Sequence, residues 1–206
     1  RLIPHDTTTA YQIATEVSAR LGWLIGGWKI AATNDRMRQA LRADAPIRGA
    51  VHARFIQPSP ATLRHAPLLG PILEAEYQAL LGADLPPRDK AYGIEEVTDA
   101  VAALCPGIEV AECRFIHDAA FPPLTAILAD GAGSGRLVRG APITDWRDRD
   151  IAGQIVTLSC DGKVRRQGTA AEAMEHPMVP LTWLANELSR TGIGLRAGQL
   201  VSTGTL

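Results

Sequence analysis

Glu74 and Glu76, spaced two apart, are the first residues in the chain that suggest chemistry. On a β-strand such a pair points to one side; on a helix the two would diverge by roughly 200° and could not share a ligand. The run from Pro71 to Leu81 reads as a strand: Leu73, Ala75, Tyr77, Ala79 and Leu81 form an apolar face, and Ile72, Glu74, Glu76, Gln78 and Leu80 take the other. Two like charges so placed repel unless something positive lies between them, and a divalent cation is one solution. A solvated strand face is the plainer alternative. A third carboxylate, Glu109, falls in a strand-like run over 108–115 and shares its face with Ala111, Cys113 and Phe115. A carboxylate among small and apolar neighbours is costly unless it is paired or coordinated. Glu112, in alternation with Arg114, reads as solvated or salt-bridged, so Glu109 is the better third ligand. Three carboxylates without His or Cys make a hard oxygen site, suited to Mg²⁺ or Mn²⁺. The keto and carboxylate oxygens of a 2-oxo acid chelate such an ion, which acts as a Lewis acid on the enolate that forms.

Other residues compete for a role. Lys29 lies in an otherwise apolar strand-like stretch, where it either snorkels or pairs, or else binds a substrate carboxylate or enolate oxygen. Asp130 precedes a Gly-Ala-Gly-Ser-Gly loop. It reads as an Asx turn or as part of a polar pocket loop whose backbone N–H groups face an anion. That loop lacks the spacing and flanking elements of a dinucleotide fingerprint. His176, before Pro177, reads as a brace for the last helix, and His117 with Asp118 as an exposed loop pair or an acid/base pair. Ser134 has no nucleophile-elbow context.

The elements that must position these residues alternate irregularly. Periodicity predicts helices over 6–21, 34–41 and 94–105, the last ended by Pro106-Gly107, and a final helix opened by Pro180 and closed by Gly192. Strands are expected at 23–33, 71–81, 108–115, 137–140 and 200–203, with a hairpin over 154–168 that turns at Asp161-Gly162. Strands outnumber helices, which predicts an α+β class and a single catalytic-type domain over 1–206, trimmed at both termini. The net charge of −1 and the 5% aromatic content speak against nucleic-acid binding. No apolar run reaches a membrane span. Three cysteines without a CxxC pair fit neither a disulfide framework nor a zinc-thiolate site, and point to a cytoplasmic setting.

Several blocks, in order, resemble the 2-keto-4-pentenoate hydratase family of the fumarylacetoacetate hydrolase superfamily. They are GGWKIAAT (Gly26–Thr33), PILEAEYQALLGADL (Pro71–Leu85), GIEVAECRF (Gly107–Phe115), ADGAGSG (Ala129–Gly135) and the stretch from His176 to Leu206. The resemblance implies a mixed β-barrel or roll flanked by helices. It implies Mg²⁺ or Mn²⁺ on Glu74, Glu76 and Glu109, and Lys29 near the oxo-acid end of the substrate. It also implies a pocket that includes Thr203, which otherwise reads as an ordinary strand threonine. Family members ketonise and hydrate a 2-hydroxy-dienoate; related members decarboxylate 2-oxo diacids or hydrolyse a carbon–carbon bond. A homo-oligomer, and a complex with a second pathway enzyme such as a decarboxylase, are implied as well. The chain departs from the family pattern at Ile47 and Arg48, where an acidic partner for the lysine is usual, and at Gln199, where the family has Asp. These departures motivate a second reading, a non-catalytic homologue that binds a partner decarboxylase.

Overall fold

The computed structural model describes residues 3–115 and 121–206. Helix α1 (Thr7–Leu21) begins where the Asp6 carboxylate accepts a hydrogen bond from the Thr9 N–H, and it stops at Gly22. Strand β1 (Ile25–Ala31) carries Lys29. Helix α2 (Asp35–Leu41) is capped by Asn34, which accepts from the Met37 N–H at 2.9 Å. Then come β2 (Ile47–His52), β3 (Ile56–Pro58), β4 (Ile72–Leu81), α3 (Ile94–Asp99), β5 (Val101–Ala111), α4 (Leu124–Ala129), β6 (Arg136–Arg139), β7 (Ile155–Cys160), β8 (Lys163–Thr169), α5 (Met178–Ser189) and β9 (Leu200–Thr205).

Seven strands form one mixed sheet in the order β2-β1-β9-β4-β5-β6-β3, and β7 and β8 make a separate hairpin. The two outermost strands, β2 and β3, are joined by a single 3₁₀ turn, Ala53–Phe55. So short a link between opposite edges requires the sheet to curl. The chain is thus an α+β fold built on a curled mixed sheet, with α5 against one face. Trp28, Ile30, Tyr77, Ala79 and Val201 project into that face and meet Leu181, Leu184 and Leu188 of α5. Residues directly opposite on paired strands share a face. Lys29 therefore lies with its partner Ser202, and Ser202 with Gln78, on the inner side of the curl. A second cluster, around Ala10, Leu41, Ile47 and Ile127, ties α1, α2 and α4 to the strand carrying Ile47.

One element differs from the sequence expectation. The helix over 94–105 ends at Asp99, and β5 runs from Val101 straight through Pro106-Gly107. Its partner β4 decides this, pairing with β5 from Ile72↔Ala111 to Leu81↔Val101. Pro106 does not interrupt the ladder. Its carbonyl accepts from the Gly140 N–H at 2.8 Å, and in an extended strand one residue's N and O face the same neighbour. The missing N–H therefore faces the end of β6 and leaves the pairing with β4 intact. The strand expected over 108–115 stops at Ala111, α5 begins two residues before Pro180, and the hairpin turns at Asp161 and Gly162 with φ of 52° and 72°.

The parallel contact between β1 and β9 brings Gly27 against Leu200. A Cβ at Gly27 would lie 2.0 Å from the Leu200 carbonyl oxygen, a backbone atom that cannot swing aside. Gly27→Ala is therefore expected to destabilise the fold by about 1–3 kcal/mol. A lower urea midpoint at unchanged slope is the readout; an unshifted midpoint would show that the two strands separate easily.

Candidate metal centre

Glu74 and Glu109 face each other across the β4–β5 ladder, and Glu76 follows one step along the same face of β4. One carboxylate oxygen from each lies within 4.8 Å of the others. Glu76 and Glu109 are buried and Glu74 is half-buried. The Ser202 hydroxyl donates to Glu76 Oε2 at 2.6 Å, the Gly204 N–H donates to the same oxygen at 2.9 Å, and the Thr205 hydroxyl donates to Glu74 Oε1 at 2.7 Å. Lys29 Nζ lies 3.5 Å from Glu109 Oε1, an oxygen that otherwise has no hydrogen-bond partner.

Strand β9 can serve both glutamates because it bulges. Glu76 pairs with Thr205 and Gln78 with Ser202, so three residue steps on β9 match two on β4. The extra residue turns the Gly204 N–H towards Glu76. Gly204 sits at φ 112°, and a Cβ there would meet the Thr33 side chain at 2.6 Å. Both facts restrict the position to glycine.

A cavity of about 670 Å³ opens beside the cluster. Lys29, Glu74 and Thr205 line it, with Ala31, Ile47, Leu73 and Ile127 giving apolar wall and Arg36 of α2 and Arg166 of β8 contributing charge. Neither Asp130 nor Thr203 is part of this lining. Asp130 caps α4, and its carboxylate accepts from the Arg114 N–H at 3.1 Å and from Arg114 Nε at 2.7 Å. It secures the following loop, whose Gly133 lies beside the Lys29 ammonium; a Cβ there would be 3.8 Å from Nζ. The Thr203 hydroxyl donates to the Tyr77 carbonyl at 2.8 Å. Its strand neighbours, Ser202, Gly204 and Thr205, are the residues that reach the carboxylates. Strict alternation hides a bulge, so the sequence pattern does not single them out; the Thr-Gly pair inside a strand is the signal of one.

The departures from the family pattern also have places. Ile47 pairs with Ala31 on the Lys29 side of β1, whereas Arg48 pairs with Ile30 and turns to the other face. There its guanidinium stacks 4.3 Å from the Tyr11 ring centroid. Gln199 holds the turn before β9, accepting from the Arg196 N–H at 3.1 Å. His176 Nδ1 accepts from the Met178 N–H at 3.2 Å at the start of α5. His117 and Asp118 lie outside the described residues.

The electrostatics follow from burial. Desolvation, reinforced by Glu109 and Glu74, raises the Glu76 carboxyl well above its ordinary value despite the donors from Ser202 and Gly204. Desolvation raises Glu109 to about 7, with Lys29 opposing the rise. Three converging carboxylates, two of them reluctant to ionise and one oxygen lacking a hydrogen-bond donor, form a donor set that fits a hard divalent cation.

No family model matches the chain. It is 31% identical over 204 residues to the 2-keto-4-pentenoate hydratase of Burkholderia vietnamiensis (strain G4 / LMG 22486), covering 98% of this chain and 76% of that protein. It is 28% identical over 198 residues to the 4-oxalocrotonate decarboxylase of Pseudomonas putida, covering 95% and 74% respectively. A solved structure of the 4-oxalocrotonate decarboxylase from Pseudomonas putida G7, complexed with magnesium and adipate, superposes with a TM-score of 0.88 at 24% identity, covering 98% of this chain and 76% of that one. The curled sheet thus has a fold shared with that decarboxylase. The chain belongs to the 2-keto-4-pentenoate hydratase family.

Because both raised carboxyls have folded-state values above the ordinary 4.5, the metal-free folded chain holds more protons than the unfolded chain as pH rises past that value. Their contribution to stability is full below about pH 4.5 and is lost as pH rises through their raised values, about 7 for Glu109. Divalent cation needs the deprotonated forms. Millimolar Mg²⁺ is therefore expected to raise the melting temperature more at about pH 8 than at about pH 5. An increment equal at both pH values, measured by differential scanning fluorimetry, would contradict the assignment of the cluster.

Proposed function

We propose that this chain is a divalent-metal-dependent hydro-lyase acting on a small 2-oxo or 2-hydroxy-dienoic acid, in the manner of a 2-keto-4-pentenoate hydratase. The observation that carries the reading is the three-glutamate cluster, with Lys29 against Glu109, at the side of an open, largely apolar cavity. Glu74, Glu76 and Glu109 would hold Mg²⁺ or Mn²⁺. When bound, the cation supplies Lewis-acid polarisation of a 2-oxo acid.

The protein's own groups do the rest. Ser202, the Gly204 N–H and Thr205 fix the orientation of two carboxylates, so that their lone pairs converge before any ligand arrives. Lys29 is held by Glu109 where its ammonium can hydrogen-bond the oxo-acid end and hand over or take back a proton at that oxygen. Ala31, Ile47 and Ile127 give the hydrocarbon part an apolar bed. Asp130 and Thr203 act on the site through the loop and strand they secure. The curled sheet serves as the mixed barrel or roll of the superfamily, and the chain works as one catalytic domain. Decarboxylation of a 2-oxo diacid or carbon–carbon hydrolysis would use the same polarised oxo acid. The non-catalytic alternative draws on Ile47, which puts an apolar side chain on the Lys29 face of β2.

Glu76→Ala is expected to abolish both Mg²⁺ binding by calorimetry and turnover of 2-hydroxypenta-2,4-dienoate. Lys29→Met is expected to lower kcat by roughly 10²–10⁴-fold while Mg²⁺ still binds. Wild-type protein that binds Mg²⁺ yet turns over neither dienol nor 2-oxo diacid would favour the non-catalytic homologue.

A further inference from the structure

Arg48 of β2 is a buried cation without a counter-ion. The residue is 4% exposed, its Nε has no hydrogen-bond partner, and its guanidinium forms no ion pair among the described residues. The rings around it do not replace an acceptor. Its Cζ lies 4.3 Å from the ring centroid of Tyr11 on α1 and 5.8 Å from that of Trp28 on β1. Aromatic rings attract the flat face of a guanidinium, whereas its five N–H groups point outward in its own plane and still need acceptors. The two neighbours add donors. Trp28 Nε1 is buried and also has no partner. The Tyr11 oxygen already accepts from the Arg48 backbone N–H at 3.2 Å, which leaves the phenolic O–H to donate. The carboxylate whose charge reaches both Arg48 and Tyr11 is Glu187 of α5, and it is held by Arg190 at 2.9 Å. Burial accordingly pushes the Arg48 guanidinium below its ordinary value.

Charges inside folded proteins are paired or coordinated, because an uncompensated one is costly to keep from water. We propose that Arg48, with Trp28 Nε1 and the Tyr11 hydroxyl, forms a site for a small monovalent anion of the size of chloride, beside the β1–β2 edge of the sheet. Arg48 and Trp28 are each 4% exposed, which excludes a bulky ligand. A spherical anion accepts from any direction, so it can take N–H and O–H donors from three different elements at once, and its charge strengthens each of those hydrogen bonds. Bound there, it fastens α1 to β1 and β2. Arg48 pairs with Ile30 and faces away from Lys29 and the glutamates, so the site stands apart from the metal cluster and from the functional reading above.

The test is the melting temperature of the chain in sodium chloride against sodium gluconate at equal ionic strength, so that screening is the same in both salts. Gluconate is too large for the site. Chloride is expected to give a saturable rise of about 2–4 °C over gluconate. Arg48→Met, which keeps the length of the side chain and removes its charge and donors, should abolish the difference, and Trp28→Phe, which removes one donor, should reduce it. A crystal of the wild-type chain soaked in sodium bromide gives a readout that needs no variant: an anomalous peak in contact with the Arg48 guanidinium is expected. Equal melting temperatures of the wild type in the two salts, a chloride effect that persists in Arg48→Met, or bromide found only at other positions would each overturn the inference. The first and last of these would mean that Arg48 is kept by its rings alone or by a rotated Glu187.

Discussion

Three carboxylates held within 4.8 Å of one another, two of them out of contact with water, set the problem that the rest of the molecule solves. At an effective dielectric constant of about 20, each fully charged pair at that distance repels by roughly 3–4 kcal/mol. A whole domain is stable by only about 5–15 kcal/mol. The cluster therefore cannot exist as three bare anions. Lys29 offers one positive charge against three negative ones. Donors from Ser202, Gly204 and Thr205 lower the cost without cancelling it, and protons take up part of what remains, as the upward displacement of Glu76 and Glu109 records. A divalent cation removes the repulsion more completely than any of these, which is why the arrangement makes physical sense as a binding site and little sense as ordinary packing.

The architecture supplies that arrangement at the centre of the sheet. Strand β4 is paired on both sides, by β9 and β5, so its backbone polar groups are consumed by ladders and its side chains alone address the site. Alternation then splits the work. On β1, Trp28 and Ile30 enter the core beneath α5, while Lys29 between them points to the inner side of the curl. On β4, Tyr77 and Ala79 go to the core and Glu74, Glu76 and Gln78 to the inner side. The same period-two rule that builds the core aims the charges, so a shift of one residue in register would bury the glutamates against Leu181 and Leu184.

How far this was legible in the sequence follows from the same rule. The alternation over 71–81 predicts that Glu74 and Glu76 share a side, and the neighbours of Glu109 select it over Glu112; the ladder does bring the three together. Helices are expected from 6 and from 34, and at those positions Asp6 and Asn34 accept the backbone hydrogen bonds that start α1 and α2. What was hidden depends on partners far away in sequence. Pro106-Gly107 looks like a helix stop until β4 and β6 are known, because only then does the missing proline N–H fall where nothing needs it. The bulge in β9 moves the carboxylate donors off Thr203 and onto its neighbours, and Asp130 is drawn to Arg114 across the loop. Nothing in the spacing of 21 Lys and Arg residues brings Arg36 and Arg166 together; they meet on one cavity only because α2 and the hairpin both border it.

The groups that would hold the cation and the lysine stand on interior strands, where each side chain is fixed by ladders and by buried neighbours. Arg36 and Arg166 stand on a seven-residue helix and on a two-stranded hairpin that is not part of the main sheet. Changes at the rim leave the charge balance of the cluster alone, because rim side chains remain hydrated and exposed cations contribute little at a distance. Changes within the cluster alter the repulsion that every other carboxylate feels. Rim side chains on a helix or hairpin can therefore change without disturbing the charge balance of the cluster, whereas the three glutamates, Lys29 and the β9 donors are coupled to one another.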